Sequence, residues 1–419
     1  MQYLIYRLKS FFANTFRAFK NRNYRLFFFG HGISLIGTWM QQVALSWYVY
    51  RVTGSSFLLG FTGFMGYVPS FFLTPISGVL ADRFNRHKLL LLTQICAMIQ
   101  AFSLAYVVYK YDGEVWRAIL LTFTLGVINS YDAPIRQAFV ADMLDSKDDL
   151  SNAIALNSAI FNSARLIGPA VAGLMVNWFG ETPCFLLNAL SYTAVLTSLL
   201  LMKIKPREIT NKNSSVLANI KEGFKYVREF VPIWMIIKLV GTVSFMAISY
   251  NILMPVFVRD ILKGSADMLG YLMGAVGLGA LAGIAYIASR KSAAGLERVA
   301  ARNAGVLGIG LMLFSVSRFF ILSLFFMFIT GVGMVSCMAS CNTLLQTLSD
   351  DDKRGRVMSI YTMALIGMAP FGSLAAGFLS NRIGAPATLF LSGLLCLTAA
   401  RKFNSGLANF RQYAGACKN

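Results

Sequence analysis

Gly78-Val79-Leu80-Ala81-Asp82-Arg83-Phe84-Asn85-Arg86-His87-Lys88 separates two apolar runs, 56–80 and 88–110. Each run is long enough to cross a bilayer as a helix. The four charges between them are crowded into a tight connection. Gly78 lets a neighbouring helix approach closely. Asp82, at the membrane edge, can accept hydrogen bonds from a helix N-terminus or pair with a cation. Arg83, Arg86 and Lys88 hold the loop on the cytoplasmic side and can bridge to nearby acids.

The same pattern of apolar run and short charged loop fills the chain. Of its 419 residues, 56% are hydrophobic and only 13% are charged. That is about half the charge of a soluble domain, so lipid is the solvent this surface is built for. Spans are expected at 25–50, 56–80, 88–110, 116–138, 151–178 and 183–203, then at 232–257, 266–289, 299–317, 319–345, 357–380 and 385–400. Arg401 and Lys402 are expected to end the last one early. This is an all-α membrane protein of twelve transmembrane helices in two six-helix pseudo-repeat bundles.

The net charge of +20 would suggest nucleic acid in a soluble protein. Here the basic residues sit in loops, 29 on one side of the spans and 7 on the other. The positive-inside rule then puts both termini in the cytoplasm of a multi-pass bacterial inner-membrane protein. Residues 1–23 mix Leu and Phe with Arg and Lys and read as an amphipathic helix on the membrane surface. Their basic side faces lipid headgroups, and they lack the cleavage site of a signal peptide. The expected organisation is 24–203 as the first bundle, 204–231 as a cytoplasmic linker, 232–402 as the second bundle and 403–419 as a tail. Within the linker, Glu222 to Arg228 can form a surface helix.

The halves resemble each other. A shift of 204 residues lays Gly168, Ala172, Gly173, Asn177 and Gly180 on Gly372, Ala376, Gly377, Asn381 and Gly384. A parallel repeat of this kind puts a substrate site between the halves, near the bilayer midplane.

Several motifs resemble the major facilitator superfamily. The 78–88 loop is similar to its signature loop, with Asn85 where the family often has Gly. The loop at Gly283–Lys291 is the counterpart in the second half and carries no acid. Arg165-Leu-Ile-Gly168-Pro169-Ala-Val-Ala172-Gly173 resembles the superfamily's antiporter signature, a bent and closely packed helix. Asn21-Arg22-Asn23-Tyr24-Arg25-Leu26-Phe27, Gly37-Thr38-Trp39-Met40-Gln41, Pro134 to Val140 and Arg354-Gly355-Arg356-Val357 resemble the enterobactin-exporter-like group over about residues 20–385. The resemblance implies efflux of a small molecule, such as a siderophore or drug, with Gly78, Asp82, Arg83 and Arg86 as a conformational latch. An importer, or a lipid or lysolipid flippase, shares the same fold.

Arg165 is the most informative single residue. It stands about 21 Å into its span at 1.5 Å per residue, near the bilayer centre. A charge there is costly and faces a partner or a water-filled cavity. One reading is an anionic substrate group or a coupling carboxylate; the other is a fixed salt bridge, for example with Asp132. Asp132, deep in span four, could carry the coupling proton or pair with Arg136, Arg165 or Arg86. Gln41, Gln42, Asn129, Asn162, Asn251 and Asn342 are mid-span amides that either line the cavity or bond neighbouring helices. Trp39 and Tyr250 can offer aromatic faces to a ligand. His31 reads as interfacial. Span one holds no Asp or Glu, where some proton-coupled drug exporters carry one.

Two separated histidines and six scattered cysteines give no metal-ligand spacing, and no nucleotide-binding loop is present. No cofactor, metal or nucleic acid is expected. The expected partners are a small-molecule substrate, membrane lipids and a coupling ion, the proton, with the chain acting as a monomer. A membrane-embedded enzyme would need a catalytic cluster that the sequence does not offer.

Overall fold

The computed structural model describes residues 16–204, 216–290, 292, 294–350, 353–408 and 410. Residues 1–15, most of the segment expected to lie on the membrane surface, fall outside them, as does the tail from 411. All regular structure among the described residues is helical. This follows from the solvent, since a chain in lipid must satisfy its own backbone groups and a helix does so within one segment.

The first half holds α1 (Arg22–Thr53), α2 (Ser56–Arg83), α3 (Arg86–Lys110), α4 (Val115–Asp142), α5 (Leu150–Phe179) and α6 (Thr182–Leu200). A connector helix, α7 (Val216–Glu229), follows. The second half holds α8 (Val231–Val256), α9 (Ala266–Ala288), α10 (Leu296–Val316), α11 (Phe320–Leu348), α12 (Arg354–Ile366), α13 (Ala369–Ile383) and α14 (Ala385–Ser405). Among the described residues, ten segments are long and apolar enough to cross a membrane, with Arg354–Ile383 counted as one. Helix α1, at 32 residues, and α14, at 21, are not among the ten. Large apolar side chains face outward along the helices, with Ile321 78%, Leu120 67% and Phe72 64% exposed. Water would penalise such a surface, whereas lipid does not.

The ends of the helices follow their sequence. Gly54, at φ +60°, closes α1, and the Ser55 hydroxyl accepts from the Leu58 amide to start α2. Gly180 (φ +80°) and Gly384 (φ +82°) end α5 and α13, a repeat-related pair in the same left-handed role. Three spans differ from expectation. Helix α14 runs through Arg401 and Lys402 to Ser405, with both basic residues exposed near its C-terminus. The eleventh span is broken at Gly367–Met368 into α12 and α13. The seventh continues into a π-turn, Phe257–Ile261.

The two halves meet along two seams, α2 on α13 and α5 on α9. Glycine makes both possible. A Cβ on Gly60 would lie 2.5 Å from the Ser373 carbonyl oxygen and 2.7 Å from Cα of Gly377. A Cβ on Gly173 would lie 2.7 Å from the Ala266 carbonyl oxygen and 2.9 Å from Cα of Gly270. These are backbone-on-backbone crossings, and both sit toward the end of the molecule far from the basic loops.

At that far end the Tyr50 hydroxyl reaches Asp260, and Arg259 Nη1 donates to the carbonyls of Tyr50 and Arg51, both at 3.2 Å. One apolar core runs through this region from Met40–Tyr50, Leu59, Ala172 and Phe185 into the second half. Toward the basic end the first half keeps a separate core around Tyr24, Phe27, Leu90, Ile135, Phe139 and Leu199. Among the described residues, the hydrogen bonds and close glycine contacts that join the halves lie from the middle of the helices outward to the far end. The contacts that join the halves thus gather, among the described residues, toward the far end, while the first half keeps its own core at the basic end.

A side chain at Gly60 cannot be accommodated by rotamer change, because backbone stands in its way. Gly60→Val is expected to widen distances between spin labels on the far ends of α2 and α13 and to deplete the sealed population. Gly355→Ala, with nothing within 4 Å, should leave them as they are. Unchanged distances in the Gly60 variant would show that the seam does not hold the far end shut.

Candidate functional site

The middle of the seam between the halves is polar. Arg165 projects from the central turns of α5, and its Nη2 donates to the Tyr250 hydroxyl on α8 at 2.9 Å. The Tyr250 hydroxyl in turn points to Sδ of Met334 on α11, 3.6 Å away. The guanidinium carbon lies 5.8 Å from the ring centre of Trp39 on α1, within cation–π range. Trp39 is held edge-on by Phe161, with ring centres 5.7 Å apart. On the same side Gln42 Nε2 donates a long 3.5 Å bond to the Tyr67 hydroxyl on α2.

Local sequence explains why these groups converge. One turn beyond Arg165, a Cβ on Gly168 would fall 2.5 Å from Trp39 Cβ and 2.9 Å from the Ile36 carbonyl oxygen. The glycine thus lets α5 close on α1 beside the cation. Pro169 has no amide hydrogen to give the carbonyl of Arg165, so a helical hydrogen bond is missing where the charge leaves the backbone. The repeat-related Gly372 serves the second half in the same way, against the Phe245 carbonyl and Ile248 of α8.

Among the described residues no carboxylate lies within ion-pair reach of Arg165. The pairing with Asp132, left open by the sequence, is absent. A guanidinium at the centre of a bilayer costs about 3 kcal/mol on insertion scales. A hydrogen bond to a charged group returns about 1.5–3 kcal/mol and a desolvated cation–π contact about 2. Tyr250 and Trp39 together therefore hold the cation without neutralising it. The site keeps a positive charge at the contact between the halves.

Asp132 has its own partners. Oδ2 accepts from Arg136 Nε at 3.0 Å, and Oδ1 accepts from Thr93 at 2.9 Å and Gln94 at 2.7 Å. Of the three arginines weighed for it, Arg136 is the one it meets. His31 is not interfacial as expected: it is 7% exposed, with Nε2 3.0 Å from Nη1 of Arg136.

The amides divide. Gln41 is buried, donating to Gln100 Oε1 at 3.2 Å and accepting from Asn188 Nδ2 at 2.7 Å, so it ties α1 to α3 and α6. Asn162 donates to the Ser158 carbonyl of its own helix at 2.7 Å. Asn342 accepts from Gln346, one turn on, at 3.0 Å. Asn251 is half-buried on α8 beside Tyr250, and Asn129 is exposed on α4. Gln42 alone of the six joins the side-chain cluster at the seam.

In the signature loop, the side chains of Gly78 and Asp82 lie outside the described ones. Arg83 is exposed. Arg86 Nη1 donates to the Ala138 carbonyl at 3.2 Å and to Asp142 at 3.3 Å, tying the start of α3 to the end of α4. Asn85, at φ −65°, accepts from the Lys88 amide at 3.1 Å and caps α3, so the turn does not call for the family's glycine. Tyr67 and Met334 carry no mark in the sequence that separates them from other apolar or aromatic span residues.

Residues 13–414 match the profile of a family described as transmembrane secretion effectors. The chain is 26% identical over 381 residues to the staphyloferrin A transporter of Staphylococcus aureus, covering 89% of this chain and 94% of that one. It is 23% identical over 405 residues to macrolide efflux protein A of Streptococcus pyogenes, covering 91% and 96%. Among solved structures, a point mutant of the nucleoside transporter NupG superposes with a TM-score of 0.74 at 11% identity, covering 92% of this chain and 99% of that one. That last likeness is one of fold.

Removing Gln41 leaves Gln100 Oε1 and Asn188 Nδ2, both on buried side chains, without the partner it supplies. Gln41→Leu is expected to lower unfolding stability by about 1–3 kcal/mol, read from unfolding of the detergent-solubilised protein. Asn129→Leu, at an exposed position, should fall within about 0.5 kcal/mol of wild type. Equal losses would remove the distinction between the two positions.

Proposed function

This chain belongs to the transmembrane secretion effector family, and we propose that it is a secondary transporter that exports a siderophore-like or drug-like molecule across the bacterial inner membrane by alternating access. One observation supports the reading: the halves share a core and a glycine seam toward the far end, while the first half keeps its own core at the basic end. A transporter at rest between cycles has this asymmetry, and a pore or scaffold has no need of it.

In this reading α1–α6 form one six-helix bundle and α8–α14 the other, with α12 and α13 acting as a single span and α1 and α14 completing twelve. The basic loops and both termini are cytoplasmic, so the parted end faces the cytoplasm and the sealed end faces outward. Substrate enters from the cytoplasm and meets Arg165, Trp39, Gln42 and Tyr250. The uncompensated positive charge at Arg165 supports an anionic substrate group, such as a carboxylate or catecholate. The relatives named for staphyloferrin A and for macrolides support a small-molecule substrate. Release requires the far-end seams to open, which separates Arg165 from Tyr250. The loop of Gly78, Asp82, Arg83 and Arg86 acts as the latch at the cytoplasmic end, and Arg86, held to Asp142, stiffens its second arm.

Arg165→Ala is expected to weaken binding of a carboxylate or catecholate siderophore about 10-fold to 100-fold, the loss of one charge-assisted hydrogen bond. A neutral macrolide should change far less. Thermal shift and calorimetric titration of the purified protein measure both, and equal effects would make Arg165 a structural residue. Asp82→Asn should leave ligand binding measurable while transport in proteoliposomes falls; unaltered transport would remove the latch.

A further inference from the structure

A lysine in the second half takes no part in the cluster around Arg165. Lys238 stands on α8, about 10 Å from its first residue at 1.5 Å per residue, in a span apolar enough to cross a membrane. The side chain is exposed and turns back toward the basic end, where its Nζ lies 5.4 Å from the ring centre of Trp234. Phe224 of the connector helix α7 meets the same ring edge-on, with ring centres 5.9 Å apart. An ammonium group carries three donors. Among the described residues, that of Lys238 meets neither a hydrogen-bond acceptor nor a carboxylate.

Helix α14 brings more positive charge to the same level. Ser249 on α8 bonds Ser392 on α14 at 3.0 Å, and a Cβ on Gly406 would fall 2.5 Å from Cε of Met235. The two helices therefore run antiparallel, in a register that sets Lys238 level with residue 403, next to Lys402. Stepping around each helix at about 100° per residue puts both lysines on one side of the line where the helices meet. Lys402 is exposed, as is Arg228, one turn beyond Phe224 on α7. The acids described at this corner are engaged elsewhere. Glu222 accepts from Lys353 and Arg356, Asp350 accepts from the Tyr226 hydroxyl at 3.0 Å, and Glu229 lies 4.0 Å from Lys225.

We infer that Lys238, Trp234 and Lys402 form a site for an anionic phospholipid in the leaflet at the basic end. Its phosphate lies between the two ammonium groups, and its chains run along α14. Leu395 and Leu391, on the same face as Lys402 and deeper in the span, are 43% and 39% exposed and supply the apolar wall. A lysine set this far into a span is costly, and a phosphate reaching it from the lipid side neutralises it where the protein does not. A zwitterionic lipid brings a cation of its own to the lysines, and a soluble anion makes no use of the leucines. The connector helix packs on α12 through Gly223, against Arg356 and Ile360, so the lipid would sit where the connector, α8 and α14 meet. The inference needs the chain in a bilayer and is independent of what it exports.

Trp234 reports on the site. In phosphatidylcholine nanodiscs, phosphatidylglycerol brominated on its chains is expected to quench Trp234 fluorescence at lower mole fraction than brominated phosphatidylcholine does, with Trp234→Phe giving that component by difference. The preference should be about fivefold for each lysine engaged, the worth of one basic residue at an anionic surface. Lys238→Gln combined with Lys402→Gln should abolish it, and Lys238→Arg alone should keep most of it. Arg382→Gln, which removes a cation that also lies over an aromatic ring but at the far end, should leave it unchanged. Equal quenching by the two lipids, or a preference that survives the double substitution, overturns the inference. Displacement of the brominated lipid by millimolar inorganic phosphate at constant ionic strength would assign the lysines to a soluble anion and overturn it as well.

Discussion

Two backbone crossings, Gly60 on Gly377 and Gly173 on Gly270, hold the halves of this molecule together, and much of what surrounds them depends on that contact. Apolar side chains gain little by leaving lipid for each other, so association inside a membrane rests on close van der Waals approach and hydrogen bonds. Only glycine lets two helices approach this closely. The two crossings are also copies of one another. Gly173 meets Ala266 and Gly270, while Gly377 meets Ser56 and Gly60. A shift of 204 carries Gly173 to Gly377, and a shift of 210 carries Ser56 and Gly60 to Ala266 and Gly270. The halves thus meet through symmetric seams toward one end.

That placement determines what the centre can be. With the far end joined by backbone contact and by the Tyr50, Asp260 and Arg259 bonds, the middle of the seam is where polar side chains of both halves meet. Arg165 occupies it from one half and Tyr250 from the other. A carboxylate in place of Tyr250 would cancel the charge and lock the halves with a buried ion pair, which is costly to break. A phenol satisfies one donor and leaves the charge unspent. The bond is strong enough to keep the guanidinium placed and weak enough to be given up when the seam opens.

Much of this was legible in the sequence where a residue type has only one plausible use. Gly180 and Gly384 mark helix ends in both halves, and Gly173 and Gly377 mark close packing, because no other residue can serve there. Charged loops mark the ends of spans for the same reason. The amides show where legibility stops. Gln41 and Gln42 are neighbours on α1, about 100° apart around its axis. One is enclosed by Gln100 and Asn188, the other reaches Tyr67 at the seam. Sequence records both as mid-span glutamines, and only the packing of α3 and α6 separates them. His31 and Arg136 are 105 residues apart, and their bond exists only because α1 and α4 lie side by side. The last helix continues past Arg401 to Ser405, since basic residues in a last turn suit a helix C-terminus and do not stop it.

The two cationic sites at Arg165 and Arg136 differ in a way that gives them separate duties. Arg165 bonds across the halves, so relative motion of the halves must break or remake its contact with Tyr250. Arg136 bonds within the first half, to Asp132 and His31, and a rigid rotation of that half leaves both bonds intact. The first site therefore responds to conformation, and the second moves with its own half as a unit. Helix α1 touches both. His31 and Trp39 lie eight residues apart on it, about 12 Å at 1.5 Å per residue. A displacement of α1 against α4 at His31 is carried along a continuous helix to the ring beneath the Arg165 guanidinium. In a bilayer a helix keeps its backbone bonds within itself, so that continuity couples the two cationic sites mechanically.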